Sequence, residues 1–220
     1  MATRFARRPK RKRDGNRKLL NRLIENNFIE RVDSTHYRDK VRKVYDGPQG
    51  AFLATASKLS LHEPLGRRLF SGGKFSVRGA KRILDVGSGA GQIAKHLLEF
   101  CDDDADIVCS DLSHEMLRRA SKRLQKHDPR FATCDFTHLP FADNSFDRVT
   151  CGYVLEHLPD PEPGLKEVAR VLRPGGRMLL LTSEDRIGGD WTSRFWLCRT
   201  YNRADLLATC RRAGLELHQA

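Results

Sequence analysis

No apolar run in this 220-residue chain approaches the roughly 18–20 residues that cross a bilayer, so no membrane span is expected. The charges at the N-terminus are not followed by an apolar h-region, so no secretory signal is expected either. Aromatic residues make up only 8%, but the 39% of apolar residues suffice for a core. The six cysteines (Cys101, Cys109, Cys134, Cys151, Cys198 and Cys210) show no C-x-x-C or Cys/His ligand spacing. They read as reduced residues of a cytoplasmic protein, which excludes a disulfide framework and a metal site. At 25.1 kDa there is room for one ordinary domain with an accessory segment, not for two full domains.

What the chain has in excess is positive charge, and it is concentrated. Of 40 basic residues against 28 acidic ones, ten fall within residues 1–22, from Arg4 to Arg22, with Asp14 alone opposing them. That segment carries +9 of the net +12, so the other 198 residues are nearly neutral. Residues 1–15 lack apolar periodicity and are expected to form a disordered basic arm. A helical cap is expected over 16–78, first on Leu20, Ile24 and Phe28 at four-residue spacing, then on Phe52, Leu53, Ala56 and Leu59.

From Arg82 onward, strands and helices alternate. Strands are expected at Ile83–Val86, Asp106–Cys109, Phe131–Cys134, Phe146–Cys151 and Arg177–Leu181. Helices are expected after Gly91, after the capping Ser113, over Leu165–Leu172 and over Arg203–Ala213, with a further strand starting at Leu215. This alternation predicts an α/β, doubly wound, mostly parallel sheet over residues 79–220, covered on both faces.

The sharpest feature is Asp85-Val86-Gly87-Ser88-Gly89-Ala90-Gly91, a glycine loop between a strand and a helix. Glycines there let the backbone approach a ligand and leave helix N–H groups free for it. The spacing is G-x-G-x-G, not the G-x-G-x-x-G of dinucleotide sites, and no Gly-Lys-Ser/Thr follows to make a phosphate loop. Asp111 ends the second strand 20 residues after Gly91, where a carboxylate accepts both hydroxyls of a ribose. Asp135 and Phe136 occupy the end of the third strand, where a side chain or backbone could meet an adenine edge. The loop and these strand ends predict a nucleoside-containing ligand.

The run of motifs resembles the class I S-adenosylmethionine-dependent methyltransferases, in the type 11 branch that includes quinone-biosynthesis enzymes. Beyond the glycine loop, the matching residues are Asp111-Leu112-Ser113-His114-Glu115-Met116-Leu117, Asp135 with Leu139-Pro140-Phe141, Asn144-Ser145-Phe146-Asp147, and Glu167 through Gly176. The resemblance covers about residues 82–182 and implies a Rossmann-like methyltransferase fold with S-adenosyl-L-methionine as cofactor. It implies that Gly87, Gly89 and Gly91 flank the methionine moiety and that Asp85 positions its amino group. Asp111 would bind the ribose, Leu112 or Met116 would pack on adenine, Asp135 and Phe136 would hold the adenine amino edge, and Cys151 would line the pocket. Met116 and Cys151 read equally well as core residues. The family's closing hairpin is not matched, so its last antiparallel strand is expected to be missing.

Methyl transfer from a sulfonium needs alignment, desolvation and, for some acceptors, a base. Candidates for the base are His157, which directly follows the fourth strand, and Tyr45, with His138 and His62 as further choices. Tyr45-Asp46-Gly47 resembles a segment that closes over the cofactor in related enzymes. Trp191, Phe195 and Trp196 read either as an acceptor wall or as a packing cluster. No Asn/Asp-Pro-Pro-Tyr motif follows the fourth strand and no Pro-Cys nucleophile is present, which favours a small-molecule or lipid-like acceptor over a nucleobase. Two alternatives stay open. One is an RNA- or ribosome-associated methyltransferase guided by basic residues 4–22, nuclear if the source is eukaryotic. The other is a non-catalytic cofactor-binding module. The helix around 16–32 is expected to act as a packed lid or to lie on an anionic membrane.

Overall fold

Five strands lie in the order β3-β2-β1-β4-β5, every pair parallel. This computed structural model describes residues 39, 41–43, 45–47, 62–73, 75–183 and 200–218. The elements run α1 (His62–Ser71), β1 (Arg82–Val86), α2 (Gln92–Phe100), β2 (Asp106–Asp111), α3 (His114–Leu124), β3 (Arg130–Thr133), β4 (Phe146–Gly152), α4 (Glu162–Val171), β5 (Leu172–Leu181) and α5 (Arg203–Arg212). A 3₁₀ turn, Leu155–His157, follows β4. All the described residues fall within one compact unit. The basic arm, the stripe of Leu20, Ile24 and Phe28, the stretch from Phe52 to Leu59, and Trp191, Phe195 and Trp196 lie outside the described residues.

The alternation of side chains along each strand builds two apolar layers. Ile83, Ile107 and Cys109 face one side and pack with Leu97, Leu117 and Leu124 from α2 and α3 and with Phe70 from α1. Leu84, Val86, Val108, Val149 and Cys151 face the other and pack with Leu165 and Val168 of α4 and Leu206 of α5. Burial on both faces of the central strands is what a parallel sheet requires, and it accounts for the continuous apolar character of β1. Ser113 caps α3 by accepting the Met116 N–H at 3.1 Å, as its position before the helix predicts.

Two expectations change. Pro174-Gly175-Gly176 does not separate α4 from the last strand, because β5 begins at Leu172. Its register against β4 jumps from Phe146↔Leu172 to Arg148↔Arg177, so Arg173 to Gly176 form a bulge inside the ladder. Residues 215–218 join no ladder, because Gly214, at φ +86°, turns the chain as α5 ends. The described sheet is therefore wholly parallel.

The order of strands reverses direction between β1 and β4. In an open α/β sheet, the crevice at such a switch point, beyond the carboxyl ends of the strands, is where ligands bind. The glycine loop leaves β1 at that point.

Candidate functional site

Gly87, Gly89 and Gly91 all adopt positive φ (+65°, +53° and +81°), a conformation that side chains disfavour. Gly87 also has no room for a side chain: a Cβ there would lie 2.1 Å from Val154 Cγ2. The loop is pinned to its neighbours by Ser88, whose N–H donates to Ser110 O at 2.9 Å and whose hydroxyl donates to Asp85 O at 2.9 Å.

Asp85 is buried one residue before the end of β1 and pairs in register with Thr150 of β4. The Thr150 hydroxyl donates to Asp85 Oδ1 at 2.6 Å, while Oδ2 is buried with no partner. Burial, with a smaller contribution from Asp111, pushes the Asp85 carboxyl up to about 6. A buried oxygen without a donor is costly, which marks Asp85 as a group that a ligand's donor would complete.

Asp111, at the end of β2, uses both carboxylate oxygens to shape the loop. Gly89 N donates to Oδ2 and Ser113 N to Oδ1, each at 2.8 Å. Burial raises its pKa against these two donors, and Asp46 adds to the rise. A carboxylate offers about four acceptor positions, so these donors leave room for a ligand's donor. Asp46 itself accepts the Ser113 hydroxyl at 2.5 Å.

Ala90 and Met116 are buried together, and the half-buried Tyr45 packs against them. The Tyr45 hydroxyl reaches His157 Nε2 at 2.9 Å, a hydrogen bond whose direction follows the imidazole tautomer. Their rings meet edge to face, with centroids 5.5 Å apart. The two residues singled out separately as base candidates are thus one pair, 112 positions apart in sequence. Burial draws His157 down to about 4, so its imidazole is neutral near pH 7.

The remaining sequence-predicted residues sort by burial. Leu112 is half-buried beside Asp111. Asp135 Oδ1 accepts from both Thr137 N (2.8 Å) and Thr137 Oγ1 (2.9 Å). The Phe136 ring is buried in the core, where it fills the space that a side chain at Gly164 would take. Cys151 is fully buried on β4. His138 is exposed, and the His62 side chain lies outside the description. Thr150, Asp46 and Glu156 were not singled out as site residues from sequence. Glu156, between Leu155 and His157 in the turn after β4, is a buried acid.

A methyltransferase-domain profile matches residues 84–180. The ubiquinone/menaquinone biosynthesis C-methyltransferase UbiE of Desulfotalea psychrophila is 36% identical over 141 residues, 64% of this chain and 57% of that protein. The UbiE protein of Cupriavidus pinatubonensis is 30% identical over 169 residues, covering 72% of this chain and 67% of that one. The chain belongs to the S-adenosylmethionine-dependent methyltransferase family. It spans 57% and 67% of the lengths of these two relatives. The crystal structure of the YcgJ protein from Bacillus subtilis superposes with a TM-score of 0.55 at 26% identity, over 69% of this chain and 67% of that one. Methyltransferases of this family take S-adenosylmethionine as cofactor. The residues present fit it: a bare buried carboxylate oxygen on Asp85, a glycine loop at positive φ, and a second carboxylate on Asp111 at the neighbouring strand end.

Proposed function

We propose that the protein transfers a methyl group from S-adenosylmethionine to a carbon atom of an electron-rich aromatic acceptor of the hydroquinone type. The observation that carries the cofactor side is the partnerless Oδ2 of Asp85 beside the glycine loop, an acceptor that an ammonium group would satisfy. The acceptor class is supported by relatives named for C-methylation in ubiquinone and menaquinone biosynthesis.

In this reading Asp85 holds the amino group of the methionine moiety, and Gly87, Gly89 and Gly91 lie along that moiety. Asp111 takes the ribose hydroxyls with the acceptor positions that Gly89 and Ser113 leave open. Met116, Leu112 and the backbone at Asp135–Phe136 border the adenine, while Ala90 and Tyr45 complete the apolar wall. When bound, the cofactor supplies a methyl group on a positively charged sulfur, transferred by in-line displacement without metal or covalent enzyme intermediate. The protein contributes alignment and exclusion of water. A hydroquinone fits this chemistry better than a quinone, because ionising its hydroxyl places electron density on the neighbouring ring carbon.

Calorimetric titration with S-adenosylmethionine, followed by methyl transfer to 1,4-naphthohydroquinone, tests the reading. Binding and ring methylation are expected; a folded full-length protein that does not bind the cofactor overturns it. Asp111→Ala is expected to weaken cofactor binding by about 1.5–3 kcal/mol through loss of charge-assisted hydrogen bonds. The ten basic residues of 1–22 favour a second acceptor, RNA, for which binding should weaken with salt and disappear when residues 1–15 are deleted.

A further inference from the structure

Among the described residues, two buried carboxylates near the carboxyl ends of the adjacent strands β1 and β4, Asp85 one residue before the end of β1 and Glu156 four residues after the end of β4, each keep one oxygen bare. Asp85 has one oxygen held by the Thr150 hydroxyl and the other bare. Glu156 repeats the arrangement: Oε1 accepts the Thr182 hydroxyl at 3.0 Å and the Ser183 N–H at 2.7 Å, and Oε2 is buried without a partner. Glu156 is next in sequence to His157, in the turn that Tyr153 opens at φ +58°. Val154, just before that turn, seals against Gly87. The bare oxygen therefore belongs to a segment packed against the glycine loop, on the side away from β2 and Asp111.

The usual proton acceptor in such a place is the histidine, and here it is disqualified. His157 Nε2 is already occupied by Tyr45, and burial lowers the affinity of the imidazole for a proton. We propose that Glu156 is a catalytic residue whose Oε2 accepts the hydroxyl proton of the aromatic acceptor. The inference rests on the hydroquinone reading above. In the step, the acceptor O–H bond breaks, the proton passes to Oε2, and the electron pair stays on the acceptor oxygen and is shared with the adjacent ring carbon. That carbon forms the new bond to the methyl group as the carbon–sulfur bond breaks and its pair goes to sulfur. Glu156 then returns its proton to the acceptor oxygen while the methylated carbon loses its own hydrogen to solvent, so one proton is released per turnover. Burial raises Glu156 above the ordinary carboxylate range, which strengthens it as a proton acceptor.

Glu156→Gln keeps an Oε1 for Thr182 and Ser183 but replaces the proton-accepting oxygen with an N–H donor. Full-length wild type and variant, each loaded with S-adenosylhomocysteine, are titrated with 4-methoxy-1-naphthol and with 1,4-dimethoxynaphthalene, redox-stable stand-ins with and without a hydroxyl. Wild type is expected to prefer the naphthol by about tenfold or more, and the variant to bind both within about threefold. Methyl transfer to 1,4-naphthohydroquinone by the variant is expected to fall roughly 100-fold at unchanged cofactor affinity, and to recover when ring halogens acidify the acceptor hydroxyl. Thr182→Val breaks the clamp but spares Oε2, so it should keep the naphthol preference even if it lowers the melting temperature. Equal binding of both ligands by wild type, or an unchanged rate in Glu156→Gln, overturns the role of Glu156 and leaves the aromatic acceptor standing. Failure of wild type to bind either ligand overturns the acceptor reading itself, and this role with it.

Discussion

The Tyr45 hydroxyl sits 2.9 Å from His157 Nε2 and joins a helical segment before the sheet to the turn after β4. Because Tyr45 also covers Ala90 and Met116, its ring and its hydroxyl do separable work. Tyr45→Phe keeps the ring and removes the bond to His157, so it should cost about 0.5–1.5 kcal/mol of stability. Cofactor affinity should then change by no more than about threefold, since the packing stays. Tyr45→Ala removes both, and cofactor affinity should fall about tenfold or more. Calorimetry on the two variants checks this; equal losses would mean that the hydroxyl, not the ring, borders the cofactor.

Asp85 and His157 impose opposite pH dependences on folding. Asp85 titrates near 6 when folded, above its ordinary value of 3.8, so the folded state binds the extra proton and stability falls as pH rises through that window. His157 titrates near 4 when folded, below 6.5, so the unfolded state binds the extra proton and stability falls as pH drops from 6.5 towards 4. Asp85→Asn is therefore expected to stabilise the cofactor-free protein at pH 7.5 by about 1–3 kcal/mol while weakening cofactor binding. Thermal melts at pH 7.5 and pH 4 decide the first part, since the gain should vanish at the acid end. A variant that melts lower than wild type at pH 7.5 would show that the carboxylate is better solvated than its burial implies.

Gly87→Ala combines two penalties. The positive φ costs a side chain about 1–2 kcal/mol, and the new methyl would meet Val154 at a distance no side chains share. Overpacking adds about 1–3 kcal/mol, so a drop of several degrees in melting temperature is expected. Pairing the change with Val154→Ala should recover part of the loss by opening the space, but not the part due to φ. Complete recovery would show that the backbone there carries no strain.

What the sequence revealed depended on how local each requirement is. The glycine loop was legible because positive φ at three positions in five residues admits few other residues, and Ser113 was legible because a cap bonds only two or three residues ahead. The start of β5 was hidden, because Pro174-Gly175-Gly176 has the same composition whether it ends a helix or forms a bulge; only the ladder to β4 distinguishes them. The pairing of Tyr45 with His157, and of Asp46 with Ser113, joins residues more than 60 positions apart, which no periodicity encodes. The burial of Glu156 is not legible locally, because an acid in a short turn ordinarily faces water, whereas here two donors just after β5 hold it inside.

Phe136 tests the boundary between core and site. Its position three residues past β3 suits an adenine contact, yet the residue is 6% exposed and its ring lies where a Cβ on Gly164 of α4 would be only 2.3 Å away. The ring therefore joins α4 to the sheet, and any contact with adenine falls to the backbone beside it. Phe136→Leu should lower stability by about 1–3 kcal/mol, as expected for a reshaped core position. Cofactor affinity of the folded variant should stay within about threefold of wild type, because the backbone at Asp135 is kept in place by its bonds to Thr137. Chemical denaturation and calorimetry on the same sample separate the two quantities. If affinity collapses while the unfolding midpoint stays put, the ring rotates out of the core to meet the ligand.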